Sequence, residues 1–142
     1  MDTPYSGPSV FRFEPPDVVR VETVGDVSAD EMGALLREMG RLGAGREYFF
    51  LLDDISRIGK ISPEARKRAT EEVDGLLLRG IAVYGASFSQ RVIATLLARL
   101  LALFGKFGER PVVIVETEAQ ARAWIETRRQ ELAAGRVDRA PA

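Results

Sequence analysis

Three short, unbroken apolar runs constrain this chain more than any other feature. They lie at 48–52, 81–84 and 112–115, and segments long enough to be helices separate them. An apolar run of four or five residues without alternation reads as a strand buried on both faces. Strands of this kind joined by long connections form a parallel sheet, because a tight turn joins only antiparallel neighbours. Right-handed crossovers then set how the helices lie on it. Two earlier segments, 10–13 and 18–24, differ. Glu14-Pro15-Pro16-Asp17 joins them, and the second alternates, with Val19, Val21 and Thr23 on one side and Arg20 and Glu22 on the other. A period of two with one polar side predicts a half-solvated antiparallel hairpin.

Four helical segments carry start signals. Ser28 with Glu31, Ser87 with Gln90 and Thr117 with Gln120 have the spacing of a capping box. Ser62 followed by Pro63 is a cap with proline at the first helical position. Met32, Leu35, Leu36, Met39 and Leu42 form one face of the first helix, which stops among Gly40, Gly43 and Gly45, where glycine permits a left-handed cap. In the second, Ala65, Ala69, Val73, Leu76 and Leu77 face inward, and Lys67–Glu71 and Arg68–Glu72 pair on the outside. The last turns Ala121, Trp124, Ile125 and Leu132 inward and Arg122, Arg128 and Arg129 mostly outward. The order is β-β-α-β-α-β-α-β-α. It predicts an α/β domain with a five-stranded, mostly parallel sheet opened by an N-terminal antiparallel hairpin. One domain covers 10–133, with flexible tails at 1–9 and 134–142.

Composition narrows the chemistry. Cysteine and histidine are both absent, which removes thiol nucleophiles, Cys/His metal sites and every His-based acid–base device. Twenty basic and 21 acidic residues leave a net charge of −1, giving no global electrostatic reason to hold nucleic acid. No uncharged apolar run approaches the ~20 residues of a spanning helix, and residues 1–9 lack the pattern of a signal peptide. A cytoplasmic protein, peripheral to a membrane at most, is the expectation.

The pattern resembles the small SpoIIAA-like proteins, relatives of the STAS domain whose fold is related to the lipid-binding CRAL-TRIO domain. The likeness covers about 10–133. It rests on the opening hairpin, Phe50-Leu51-Leu52-Asp53-Asp54, Ile61-Ser62-Pro63-Glu64-Ala65-Arg66, Ile81-Ala82-Val83-Tyr84-Gly85, and Ala123-Trp124-Ile125 in the final segment. The resemblance implies a β-α superhelical domain with one small sheet. It also implies membrane association or binding of a small apolar ligand, with helix displacement between open and closed forms. Its alternative implication is a regulatory switch of the anti-sigma-antagonist type, binding a protein kinase or sigma regulator. Such antagonists carry Asp-Ser-Ser-Gly or a close variant at the start of the helix after the third strand, and one serine is phosphorylated. Here that region reads Ser62-Pro63-Glu64-Ala65, so proline takes the acceptor place and glycine is missing. Ser62 is the phosphosite left to such a switch, and it already has the duty of an N-cap.

The third helical segment, 90–107, is the most informative. Arg91, Thr95 and Arg99 form a narrow stripe at i,i+4 spacing. Val92, Ile93, Leu96, Leu97, Leu100, Leu101 and Phe104 surround it. A surface helix needs an apolar face of only about 100°. This one exceeds it, so something besides the sheet should cover the surplus: a neighbouring helix, a second copy of the chain, a lipid surface or a small apolar ligand. The cationic stripe suits an interfacial helix. Ser87, Ser89 and Arg91, in the turn before it, are candidates for holding an anion, although no Gly-Lys-Ser/Thr ending makes this a phosphate loop. Asp53 and Asp54 close the third run, with a turn expected at Asp54 and Ser56. Adjacent strand residues point to opposite faces, so the two carboxylates do not address one ligand. Glu71, Glu72 and Asp74 read as a solvated helix face. The expectation is a non-enzymatic interaction module without catalytic residues, metal or cofactor.

Overall fold

The structure is a computed structural model that describes residues 5–87, 91, 92, 95 and 112–139. Its elements are β1 (Val10–Glu14), β2 (Val18–Val27), α1 (Ala29–Gly43), β3 (Phe49–Ile61), α2 (Pro63–Glu72), a 3-10 turn (Val73–Gly75), β4 (Leu78–Tyr84), β5 (Val112–Val115) and α3 (Glu118–Arg139). The strands form one sheet in the order β1-β2-β3-β4-β5. β1 and β2 are antiparallel, and every later pair is parallel. This is the predicted α/β architecture; the segment 90–107 lies almost entirely outside the described residues.

The parity of the strands sorts side chains into two layers. On one face Val19, Val21, Phe49, Leu51, Ile55, Ile81 and Val83 pack with Met32, Leu35, Leu36 and Met39 of α1 and Ala65 and Ala69 of α2. On the other, Val18, Phe50, Leu52, Ala82 and Tyr84 pack with Ala121 and Ile125 of α3, with Trp124 and Leu132 partly buried beside them. The apolar faces predicted for α1 and α3 are the ones observed.

The caps form as their sequences require. Ser28 Oγ accepts from Glu31 N at 3.2 Å, and Ser62 Oγ from Ala65 N at 3.0 Å. Gln120 and Thr117 close a full reciprocal box: Thr117 Oγ1 accepts from Gln120 N, and Gln120 Oε1 accepts from Glu116 N and Thr117 N. The Ser28 box is only half made, because Glu31 turns its carboxylate to the Tyr5 hydroxyl, 2.5 Å away.

Several boundaries move. β3 does not stop at 52 but runs to Ile61, pairing with β2 through two register shifts, at Glu22/Val24 and Gly25/Val27. Each shift sets an extra residue on β3, as a bulge does. The turn expected at Asp54 and Ser56 survives as a local bond, Ser56 N to Asp54 Oδ1 at 2.9 Å, but the strand continues through it. α2 ends at Glu72, and Leu77 is exposed rather than inward. α3 continues to Arg139, beyond the expected end at 133. Residues 5–9 are not loose. The Tyr5 ring meets Phe11 edge-on at 4.9 Å, Ser9 is buried, and its Oγ accepts from Val24 N.

The glycines near the end of α1 do more than cap it. Gly43 lies within the helix, and a Cβ there would stand 2.4 Å from Cδ1 of Phe49, whose ring is 1% exposed. Gly43→Ala should therefore destabilise the protein by about 1–2 kcal/mol despite alanine's better helix propensity, since the ring has no room to retreat. Gly40→Ala meets only the flexible end of Leu76 and should be neutral or stabilising. Urea denaturation of both variants measures the contrast.

Candidate functional site

Parallel sheets present their chemistry at the carboxyl ends of the strands. In the last row there, Glu22, Asp54, Tyr84 and Val115 stand in register across β2 to β5. Arg20, one pleat earlier, donates from Nη2 to the Tyr84 hydroxyl at 2.9 Å, and that hydroxyl donates to Glu118 Oε1 at 3.0 Å. Glu118 Oε2 accepts from Arg122 Nε at 2.8 Å, and Arg122 forks onto both oxygens of Glu14 at 2.8 and 3.2 Å. A polar chain thus runs from the sheet through the first turns of α3 to β1. Its electrostatics follow from these contacts. The Arg122 guanidinium draws the Glu14 carboxyl down to about 2, burial pushes the Tyr84 hydroxyl up to about 12, and the Arg122 bond lowers Glu118. Arg20 Nε is buried with no hydrogen-bond partner among the described residues.

This arrangement refines the outward placement of the α3 arginines: Arg122 is exposed as expected, while Arg128 and Arg129 are half-buried. Arg122 reaches Glu14, Arg129 makes bonds of 2.6 and 2.9 Å to Asp17, and Arg128 Nε donates to the Arg79 carbonyl at 3.0 Å. It also corrects the half-solvated face of β2, since Arg20 lies under the start of α3. Helical periodicity could not separate these arginines from solvent-facing ones, because their partners are 49 to 112 residues away.

Asp53 and Asp54 part as the strand geometry requires. Asp54 shares the α3 side with Tyr84. Asp53 faces the apolar layer under α1 and α2, where Thr23 Oγ1 donates to its Oδ1 at 2.7 Å. Burial raises this carboxyl to about 6 against the pull of the Thr23 hydroxyl, with the Asp54 charge adding to the rise. Among the described residues no group of three or more Asp and Glu is placed to hold a metal ion.

The remaining predicted residues are only partly placed. The Ser87 carbonyl accepts from Arg91 N at 2.8 Å, the first bond of a helical turn, and Arg91 and Val92 are both exposed, Val92 by 54%. Ser89, Ile93, Leu96, Leu97, Leu100, Leu101 and Phe104 lie outside the described residues. Ser62 spends its hydroxyl oxygen on the cap of α2. Among the described residues no helix is long and apolar enough to cross a membrane.

No family model matches the chain, and no curated protein matches it. A solved structure does. It is similar over 82% of this chain and 90% of its own, with a TM-score of 0.57 and 16% identity. That protein is an uncharacterized member of the DUF3478 family with a SpoIIAA-like fold, from Shewanella loihica PV-4. The chain has a SpoIIAA-like fold. At this identity the likeness carries fold alone, and the SpoIIAA-like sheet seen here has Asp53 in its central strand.

That carboxyl has a measurable consequence. Its folded value lies above that of an unfolded aspartate, so the native state holds the proton more tightly, and stability falls as pH rises from about 4 through 6. Asp53→Asn keeps an acceptor for Thr23 and removes the charge. The variant should exceed the parent in stability at pH 8 by at most about 3 kcal/mol and match it below pH 4. Urea midpoints at the two pH values test this; an equal difference at both would refute the assignment.

Proposed function

We propose that this chain is a non-enzymatic interaction module whose working surface is the apolar segment 90–107, and that the surface it meets is a lipid bilayer. The observation that carries the reading is Val92. It opens the apolar set of that segment, yet it is 54% exposed, with the exposed Arg91 beside it. An apolar side chain next to a cation at the water boundary is the pairing that interfacial segments use, since lipid chains take one and anionic headgroups the other. The other occupants of such a surface, a second copy of the chain or a small apolar ligand, need no cation.

A phosphorylation switch has less support. Phosphate on Ser62 would have to displace the bond that caps α2, and Pro63 follows directly. Mass spectrometry after incubation with candidate kinases tests that alternative at Ser56 and Ser62.

Co-sedimentation with vesicles decides the lipid reading. The protein should pellet with vesicles containing anionic phosphatidylserine more than with neutral phosphatidylcholine. Val92→Asp and Arg91→Ala should each reduce the bound fraction several-fold while leaving the fold, followed by circular dichroism, unchanged. No binding to either vesicle would overturn the reading.

A further inference from the structure

Every buried apolar side chain among the described residues lies at Val18 or later, yet residues 5–9 are held in place ahead of β1. Two side chains hold them. Tyr5 lies along α1: its backbone N–H donates to the Glu38 carboxylate, and its hydroxyl donates to Glu31 Oε1 at 2.5 Å. Seven residues separate these carboxylates, so one tyrosine spans about two helical turns. The chain then folds back over the hydroxyl. Ser9 N donates to it at 3.2 Å, and Gly7 passes so close that a Cβ there would overlap the hydroxyl and stand 3.0 Å from Glu31 Oε1. Ser6, Gly7 and Pro8 face water. Ser9 makes the second attachment. β1 pairs with β2 only as far as Val10 opposite Glu22, while β2 runs on to Val27. Past the end of β1, the Val24 N–H takes Ser9 Oγ at 3.0 Å in place of a backbone carbonyl.

We propose that residues 5–9 are a latch that opens and closes while the rest of the fold stays intact, with the Tyr5 hydroxyl on Glu31 as its catch. Segments that share few buried apolar contacts with a core open at lower free energy than the core itself. This strap contributes one ring, partly buried and edge-on to Phe11, and no member of the buried core. The catch works as a unit. Glu31, Gly7 and Ser9 converge on one oxygen atom, so displacing the hydroxyl releases all three together. α1 gives up local stability to form it. Glu31 leaves the capping box of Ser28, and Glu38 is a charged side chain only 9% exposed, bound on its other side by Arg41. The helix has no need of either arrangement; the strap does. Opening bares the Phe11 ring and frees the Val24 N–H at one corner of the sheet, an aromatic surface beside an unpaired strand edge. Closing covers both.

Hydrogen exchange followed by NMR reads the latch directly. The Val24 amide reports the bond to Ser9, and the amide of Leu52, a fully buried residue of β3, reports the whole fold. In the native protein Val24 should exchange at least tenfold faster than Leu52, at a rate that urea below the unfolding transition barely changes. Gly7 has no positive φ, so alanine is compatible with its backbone and fails only against the hydroxyl. Gly7→Ala should speed Val24 exchange at least a further tenfold while the circular dichroism spectrum stays native. Tyr5→Phe removes the bond to a charged acceptor and should do likewise. Because either substitution alone opens the latch, the double variant should keep the urea midpoint of Gly7→Ala. Val24 exchange that tracks Leu52 in rate and urea dependence would overturn the proposal. So would a Gly7→Ala protein that fails to fold, or one that exchanges Val24 at the native rate.

Discussion

Phe49 and Phe50 leave β3 in opposite directions, and each anchors one layer of the protein. Both rings are almost wholly removed from water, and full burial of such a side chain contributes about 1.5–3 kcal/mol. Because β3 is the central strand, its two faces set the inward side of everything else. α1 must present Gly43 to the Phe49 ring. β4 must present Gly80 beneath Phe50 and Trp124, where a Cβ would come within 3.0 and 3.1 Å of them. Two glycines on different elements thus answer to two adjacent aromatic residues. The parallel order follows, since a strand covered on both sides needs a helix layer above and below.

α3 provides the second layer alone among the described helices, and it is held by two kinds of contact. Ala121, Ile125 and the ring of Trp124 supply apolar burial. Around them lie Glu118 to Tyr84 and Arg20, Arg122 to Glu14, Arg129 to Asp17 and Arg128 to the Arg79 carbonyl. Partly exposed ion pairs contribute about 0–1 kcal/mol each, so the apolar seam dominates the energy. The pairs act chiefly on geometry. Contacts at Asp17, at Glu14 and at Tyr84 fix both the tilt and the axial position of the helix, which three apolar side chains alone would leave free to slide.

The order of elements along the chain and the apolar faces of α1 and α3 were legible because they follow from local period and caps, whereas the order of strands across the sheet was not. Val112 to Val115, Met32 to Met39 and the Thr117–Gln120 box each state their own structure. The second half of β3 was not legible, because Asp53, Asp54, Ser56 and Arg57 break the apolar run that marks a buried strand. They are tolerated for separate reasons. Thr23 satisfies Asp53, Ser56 N and the bulge absorb Asp54, and Glu22 pairs with Arg57 at 3.1 Å. Tyr5 and Ser9 were read as part of a tail because their partners, Glu31 and Val24, lie 26 and 15 residues on. Of the candidate surface, sequence supplied the apolar excess of 90–107, and the structure adds Arg91 and Val92 as exposed neighbours.

The polar groups of the α3 side also bear on what kind of protein this is. Tyr84, Arg20 and Glu118 look from their types like an acid–base cluster at the carboxyl ends of parallel strands. Their geometry directs them at one another. The Tyr84 hydroxyl lies between a guanidinium that donates to it and a carboxylate that accepts from it, while Glu118 is further bound by Arg122. A hydroxyl raised to about 12 is a poor proton donor at neutral pH, and a carboxyl lowered by two arginines is a poor base. The same contacts that seat α3 therefore leave these groups little reactivity of their own. In this SpoIIAA-like sheet they act as fasteners that hold the start of α3 to the strands beneath it.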